Sequence, residues 1–442
     1  WAAFRFEEGF NRFNMAILWR MVVKPHRRHC SMGNNRQIIQ YRRRFLQSAG
    51  LGLLGLAGMS GKIRAAAMQT LPFGNGEREL VVYPQKRSLL RITTRPPHLE
   101  TPFEVFDESV LTPNDGFFVR YHLADLPLSI DPDRYRLTVS GHVDTPLSLS
   151  LNALKAMGRV EMVAVNQCAG NSRGYSSPRV FGAQLGNGSM GNARWAGIPL
   201  RSILEKAGIR SGARLVAMNG LDRPVLPVTP DYVKTLEIEH AMSDEPLIAW
   251  EMNGQEIPFL NGYPVKLIVP GYFGTYWIKH LCEIHVLDQP LDGLDSFAMN
   301  RAYRVPDNEC FCVLPGTVPD RTRPITRFRV RSFITSLQNG SRLKAGQKIL
   351  LKGIAFDGGS GIKQVEISSD GGRNWEMASL GRDFGRFSFR EWRLDFVPEN
   401  QGEIMLMVRA TANSGETQPM TASWNPGGYL RNVVESVAIT VA

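Results

Sequence analysis

The chain has 442 residues, enough for two or three domains and a large buried core. With 43% hydrophobic and 21% charged residues it has a globular composition, which argues against a disordered, collagen-like or membrane-embedded protein. The formal net charge of +11 invites a nucleic-acid or anionic-membrane partner, yet residues 1–67 hold twelve Lys and Arg against Glu7 and Glu8 and so carry +10 of it. The remainder is close to neutral, which removes the electrostatic ground for a nucleic-acid partner.

Residue 1 is Trp, and Met15, Met21 and Met32 are candidate starts, of which Met32 is favoured. After Met32 comes a polar basic stretch, then Arg42-Arg43-Arg44-Phe45-Leu46-Gln47, an uncharged run from Ser48 to Gly61, and Lys62-Ile63-Arg64-Ala65-Ala66-Ala67. This order resembles a twin-arginine export signal, so residues 1–67 are expected to be a leader and the mature chain to be periplasmic. The run from Phe45 to Gly61 falls short of the ~20 strongly apolar residues of a spanning helix, so no membrane span is expected in the mature chain. An uncleaved anchor or a disordered basic tail are the alternatives. Because the twin-arginine route carries folded proteins, many with a cofactor already inserted, a cofactor is expected.

Residues 68–105, rich in Pro, Arg and Thr, read as an extended arm with little periodicity. From Phe117 onward short alternating runs, including Tyr135–Ser140 and Met162–Val165, read as strands. They are interrupted by helical stretches such as Leu200–Ala207, whose face Leu200, Ile203, Leu204 and Ala207 stops at Gly208. Residues 106–323 therefore form one mixed α+β domain. Beyond the joint Pro315–Pro324, strand-like runs at Lys348–Phe356, Gln364–Ser368, Met405–Ala410 and Val433–Val441 alternate with Asp-Gly-Gly turns. Residues 324–442 are expected to be an all-β, seven-strand sandwich of immunoglobulin type, a module for binding or dimerisation rather than catalysis. The fold class is thus α+β, and no repeat of 20 to 50 residues is present.

The five cysteines are Cys30, Cys168, Cys282, Cys310 and Cys312. They include no Cys-x-x-Cys-His for haem and no paired Cys-x-x-Cys knuckles for zinc or iron-sulfur ligation. An oxidising compartment would permit two disulfides, but a bond between Cys310 and Cys312 would be strained. The most informative segment is Asn166-Gln167-Cys168-Ala169-Gly170-Asn171-Ser172-Arg173-Gly174-Tyr175. An apolar strand delivers a lone Cys into a Gly/Asn/Ser loop with a guanidinium five residues on. Such a thiolate suits a nucleophile or a metal ligand, and a small buried apolar residue is the plain alternative.

The segment Cys168-Ala169-Gly170-Asn171, followed by Arg194-Trp195-Ala196-Gly197, resembles the molybdenum-binding segment of the sulfite oxidase family. Phe117-Phe118-Val119-Arg120-Tyr121-His122, Trp250-Glu251-Met252-Asn253-Gly254 and Gly262-Tyr263-Pro264-Val265-Lys266-Leu267-Ile268-Val269-Pro270-Gly271 match further blocks in the same order. The resemblance spans roughly residues 100–442 and is nearest to the catalytic subunits of bacterial sulfite:cytochrome c oxidoreductases. It implies a mixed α+β molybdopterin domain followed by a dimerisation domain. It also implies molybdenum held by a pyranopterin dithiolene, with Cys168 as the single protein ligand, which soft thiolate chemistry suits. Arg120 and Arg173 match arginines of the substrate pocket, where forked cationic donors suit an oxyanion. Tyr303 matches the active-site tyrosine, and His122, Lys266 and Lys279 match cofactor-binding positions. Lys363 lies near the point where the second domain contributes a basic residue. Animal members carry a pocket Trp ten residues before the Arg-Trp tryptophan, and counting back from Trp195 reaches Leu185, so that wall differs or is supplied elsewhere.

The resemblance implies oxidation of sulfite, or of a related small sulfur oxyanion, to sulfate. No cytochrome b5-like segment precedes the core, so no haem on this chain is expected; electrons would pass singly to a separate c-type cytochrome. A homodimer, or a heterodimer with a cytochrome subunit, is expected. Within the family the alternative is the molybdenum subunit of a sulfane dehydrogenase in a thiosulfate-oxidising complex. A reductase of methionine sulfoxide or of nitrate fits less well, since relatives of the first kind generally lack the sandwich and those of the second usually carry haem and flavin modules. From another class, the alternative is a non-catalytic periplasmic binding module, which would contain no molybdenum.

Overall fold

The structure, a computed structural model, describes residues 67–442. The expected leader lies outside the described residues except for Ala67. Among the described residues no helix is long and apolar enough to cross a membrane.

Residues 68–105 are not a bare arm. Met68–Thr70, Glu77–Val81, Leu89–Thr93 and His98–Glu100 join Val119–Arg120 in a five-stranded antiparallel meander. Leu89, Leu99, Val119 and Tyr121 form its small core. The run of prolines and arginines hides this, because each strand is only a few residues long and alternation over so short a span is weak. The register pairs His98 with Arg120, so this meander fixes the backbone of one site residue.

Two larger sheets make the body of the mixed domain. One, ordered Lys234–Glu237, Leu215–Gly220, Leu281–Leu287, Arg136–Gly141, Leu147–Ser150, has a single parallel pair, Leu281–Leu287 with Arg136–Gly141. The other, ordered Gln255–Glu256, Leu247–Met252, Met190–Pro199, Val160–Gln167, takes Lys266–Ile268 as a branch on Leu247–Met252. The predicted helix Leu200–Ala207 forms, buries the expected four residues and ends at Gly208, whose φ of +70° an L side chain rarely adopts. Ser150 caps the helix Leu151–Ala156 by accepting a hydrogen bond from the Ala153 amide at 3.1 Å.

The C-terminal part packs a four-stranded sheet on a five-stranded one. Their shared core includes Val330, Leu351, Trp392, Val365, Leu406, Val408 and Ile439. The strands outnumber the seven expected because Ser341–Leu343 adds an edge and the chain switches sheets at Glu376–Met377 and Ser379–Leu380. Cys310 and Cys312, one residue apart, are joined by a disulfide with a Cα–Cα distance of 5.1 Å. Phe311 between them takes a left-handed φ of +52°, and the Arg323 guanidinium covers its ring at 4.4 Å.

Candidate active site

The strand Val160–Gln167 runs beside Met190–Pro199 until Gln167 faces Met190. One residue later the Cys168 amide still donates to the Ser189 carbonyl at 2.9 Å, but the chain then turns, and the Asn171 amide donates back to the Cys168 carbonyl at 3.0 Å. The Asn171 side chain ties both limbs, accepting from the Ser189 amide at 3.0 Å and donating to Gln167 Oε1 at 3.3 Å. A lone cysteine thus stands at the end of a sheet on a loop whose backbone bonds are satisfied. It is the free cysteine among the described residues.

Cys168 lies where two cavities meet. The inner one is lined by Arg120, His122, Lys266, Lys279, Tyr303 and Cys168 among others. The outer one, about 460 Å³, is lined by Arg120, His122, Cys168 and Tyr303 again, and by Arg173. Six of the seven predicted site residues therefore gather around one cavity, and the seventh sits in the adjoining vestibule. Lys363 lines neither; it is exposed on the strand Ile362–Ser368. Leu185 is 1% exposed in the vestibule wall.

The inner cavity is cationic. Lys266 is 1% exposed, and its ammonium lies over the rings of Trp195 at 4.7 Å and Trp277 at 5.4 Å. Burial drives its pKa well below the usual lysine range, and Lys279 and Lys86 add to the effect. Lys279 donates to the Arg120 carbonyl and stands over the Tyr121 ring at 4.3 Å, with burial lowering its pKa and Asp222 opposing. Burial also keeps His122 and His98 well below the ordinary imidazole range, helped by Arg120 and Lys279, so both are neutral.

Arg173 is fixed from both parts of the chain. Its Nε donates to the Gly427 carbonyl at 2.9 Å and its guanidinium lies 5.1 Å from the Tyr429 ring centroid. Glycines make room for it: a Cβ on Gly170 would come within 2.8 Å of its Nη1, and one on Gly428 within 2.9 Å of its Cγ. Tyr303, at a left-handed φ of +55°, meets His122 edge-on with centroids 5.4 Å apart and lies 5.9 Å from Tyr429. Burial raises the Tyr303 pKa above its usual value.

Sequence reasoning missed Tyr232, Lys234 and Tyr429. Tyr232 stacks on His122, and the buried Lys234 donates to the Ala298 carbonyl at 2.9 Å and lies 5.6 Å from the Tyr303 ring. Nothing in their local patterns marks them, since each is a single polar residue in an ordinary strand or loop.

These residues fit a molybdopterin. Among the described residues no group of three or more His, Cys, Asp and Glu could hold a metal. A metal at the Cys168 thiolate therefore needs further donors from an organic group. The cavity wall also carries Asn166, whose Oδ1 is buried without a hydrogen-bond partner. Gly274 stands against it, where a Cβ would come within 2.4 Å of that oxygen. The unpartnered amide oxygen can accept from an N–H of a pterin ring, and the buried lysines suit the phosphate that such a group carries.

Comparison with known proteins agrees. The family described as oxidoreductase molybdopterin binding domain matches residues 123–294, and that described as Mo-co oxidoreductase dimerisation domain matches residues 322–442. Sulfite oxidase of Gallus gallus is 34% identical over 366 residues, covering 78% of this chain and 77% of that protein. Mitochondrial sulfite oxidase of Rattus norvegicus is 33% identical over 378 residues, covering 81% and 67%. Among solved structures, the sulfane dehydrogenase SoxCD from Paracoccus pantotrophus superposes with a TM-score of 0.65 at 22% identity, covering 85% of this chain and 90% of that one.

Proposed function

The chain belongs to the sulfite oxidase family of molybdopterin oxidoreductases, and on that premise we propose that it oxidises sulfite to sulfate in the periplasm and delivers electrons singly to a separate c-type cytochrome. The observation that carries this reading is the shared wall: Arg120, Cys168 and Tyr303 face both the inner cavity and the vestibule. Cys168 would hold the metal, and His122, Lys266 and Lys279 the pterin. When bound, that group supplies oxygen transfer to sulfur and temporary storage of two electrons.

The chain's own residues do the rest. Arg120 and Arg173 offer guanidinium donors to an oxyanion arriving through the vestibule. Arg173 is already held by Gly427 and Tyr429, so little side-chain freedom is lost on binding. The Tyr303 hydroxyl, kept protonated by burial, donates a hydrogen bond to the same anion. Neutral His98 and His122 leave the positive charge on the guanidinium groups. Residues 322–442 carry the subunit contact, in a homodimer or with a cytochrome subunit.

The test is sulfite-dependent reduction of cytochrome c by the processed protein, repeated with Cys168→Ser. We expect turnover by the parent and loss of turnover and of molybdenum in the variant. An inactive parent that contains its cofactor refutes sulfite as substrate, and an active variant refutes Cys168 as ligand.

A further inference from the structure

The vestibule is far larger than sulfite requires. Sulfite has four non-hydrogen atoms, and the cavity outside Cys168, about 460 Å³, has room for several times as many. The wall of this space is of two kinds: it combines the guanidinium groups of Arg120 and Arg173 with Phe181, Leu185, Pro426 and the ring of Tyr429, which lies against Arg173. Asp231 is the acid in the wall, and its carboxylate is engaged, accepting from Asn219 Nδ2 at 2.9 Å and from the Tyr232 amide at 2.8 Å. Phe181 is 98% exposed, an apolar ring at the rim of the pocket.

We propose that the vestibule admits an organic sulfinate with an apolar, preferably aromatic, substituent, which the enzyme oxidises to the corresponding sulfonate. This rests on the reading of the site given above and deepens it. A sulfinate keeps the lone pair on sulfur and shares its negative charge over two oxygens for Arg120 and Arg173, while its third substituent is carbon, which the apolar part of the wall can meet. The reaction balances as for sulfite: sulfur gains a bond to an oxygen drawn from water, the water's two protons go to solvent, and two electrons leave one at a time to the same one-electron acceptor. The carbon–sulfur bond is untouched.

Holoenzyme of measured molybdenum content is titrated calorimetrically with benzenesulfonate and methanesulfonate, and turnover of benzenesulfinate, methanesulfinate and sulfite is followed with cytochrome c. Benzenesulfonate is expected to bind about tenfold or more tightly than methanesulfonate, and kcat/KM to favour benzenesulfinate over methanesulfinate by a similar factor. Phe181→Ala should shrink both ratios roughly fivefold, and its exposure means the fold does not depend on it. Sulfite turnover with no binding preference and no sulfinate oxidation overturns this inference and leaves the proposed function standing. Failure on sulfite as well overturns the function beneath it. Turnover of a peptide bearing S-sulfonated cysteine in place of benzenesulfinate overturns it in favour of protein-bound sulfur.

Discussion

The imidazole of His122 lies flat against the phenol ring of Tyr232, with centroids 3.7 Å apart and planes 6° from parallel. The phenol is itself anchored, its hydroxyl donating to the Thr275 carbonyl at 2.9 Å. Tyr232→Phe keeps the stack and loses the hydrogen bond, an expected cost of about 1 kcal/mol. Tyr232→Ala loses both and leaves a void beside the imidazole, for about 2–4 kcal/mol. Urea unfolding of the two variants measures the difference, and equal losses would mean that the stack contributes nothing.

Lys266 gives a two-sided expectation. With no anion bound, a lysine 1% exposed among indole rings carries a desolvation cost, so Lys266→Met should raise the stability of cofactor-free protein by about 1–3 kcal/mol. The same change should lower the fraction of protein purified with molybdopterin. Thermal unfolding of the apo-protein and cofactor content of the holo-protein are read side by side. A destabilised apo-protein would show that the ammonium is satisfied without its ligand.

Glu100 sets a pH dependence. Its carboxylate oxygens accept from Ser189 Oγ at 2.8 Å and the Gly186 amide at 3.1 Å, but complete burial outweighs them and pushes its pKa up to about 7. The folded state then holds a proton that the unfolded chain has released, so this contribution to stability is full below pH 4.5 and lost as pH rises to about 7. The loss is on the order of 3 kcal/mol, from ~1.4 kcal/mol per pKa unit. Glu100→Gln should flatten unfolding free energy against pH across that window. An unchanged slope would assign it to other groups.

The chemistry-bearing loop and the main elements were legible in the sequence, because Cys168 follows a run of apolar residues and Leu200–Ala207 repeats at helical spacing. Arg120, Arg173, Tyr303 and the lysines were reached through the family resemblance, since each alone is an ordinary charged or aromatic residue. What stayed hidden depends on long-range pairing. The meander over residues 68–105 is made of strands too short to show alternation, and Tyr232 and Tyr429 enter the site from segments with no pattern of their own. Lys363 was placed only by the point at which the family's second domain contributes a basic residue, and such a position does not say which face of its strand the side chain occupies; here it is exposed.

Arg331 and Glu435 form a buried ion pair at 2.6 Å, with Arg331 also 3.5 Å from Gln167 Oε1, next to Cys168. Removing only the acid, by Glu435→Leu, strands a guanidinium that is 1% exposed and should cost about 3–5 kcal/mol. Replacing both, Arg331→Met with Glu435→Leu, should restore much of that loss. Guanidinium chloride unfolding of the single and double variants closes the cycle, and additive losses would show that the pair does not act as a unit.

The grip on Arg173 bears on how this protein can be cut and recombined. The guanidinium that would receive the anion belongs to the Cys168 loop, while the carbonyl and ring that hold it belong to Gly427 and Tyr429, more than 250 residues later, with a hydrogen bond spanning a sequence separation of 254. A sandwich grafted from a relative therefore brings its own version of that grip, and chimeras joined near residue 322 should change substrate preference even when every residue before the junction is kept. The two parts are inherited as one reaction vessel rather than as an enzyme with a detachable handle.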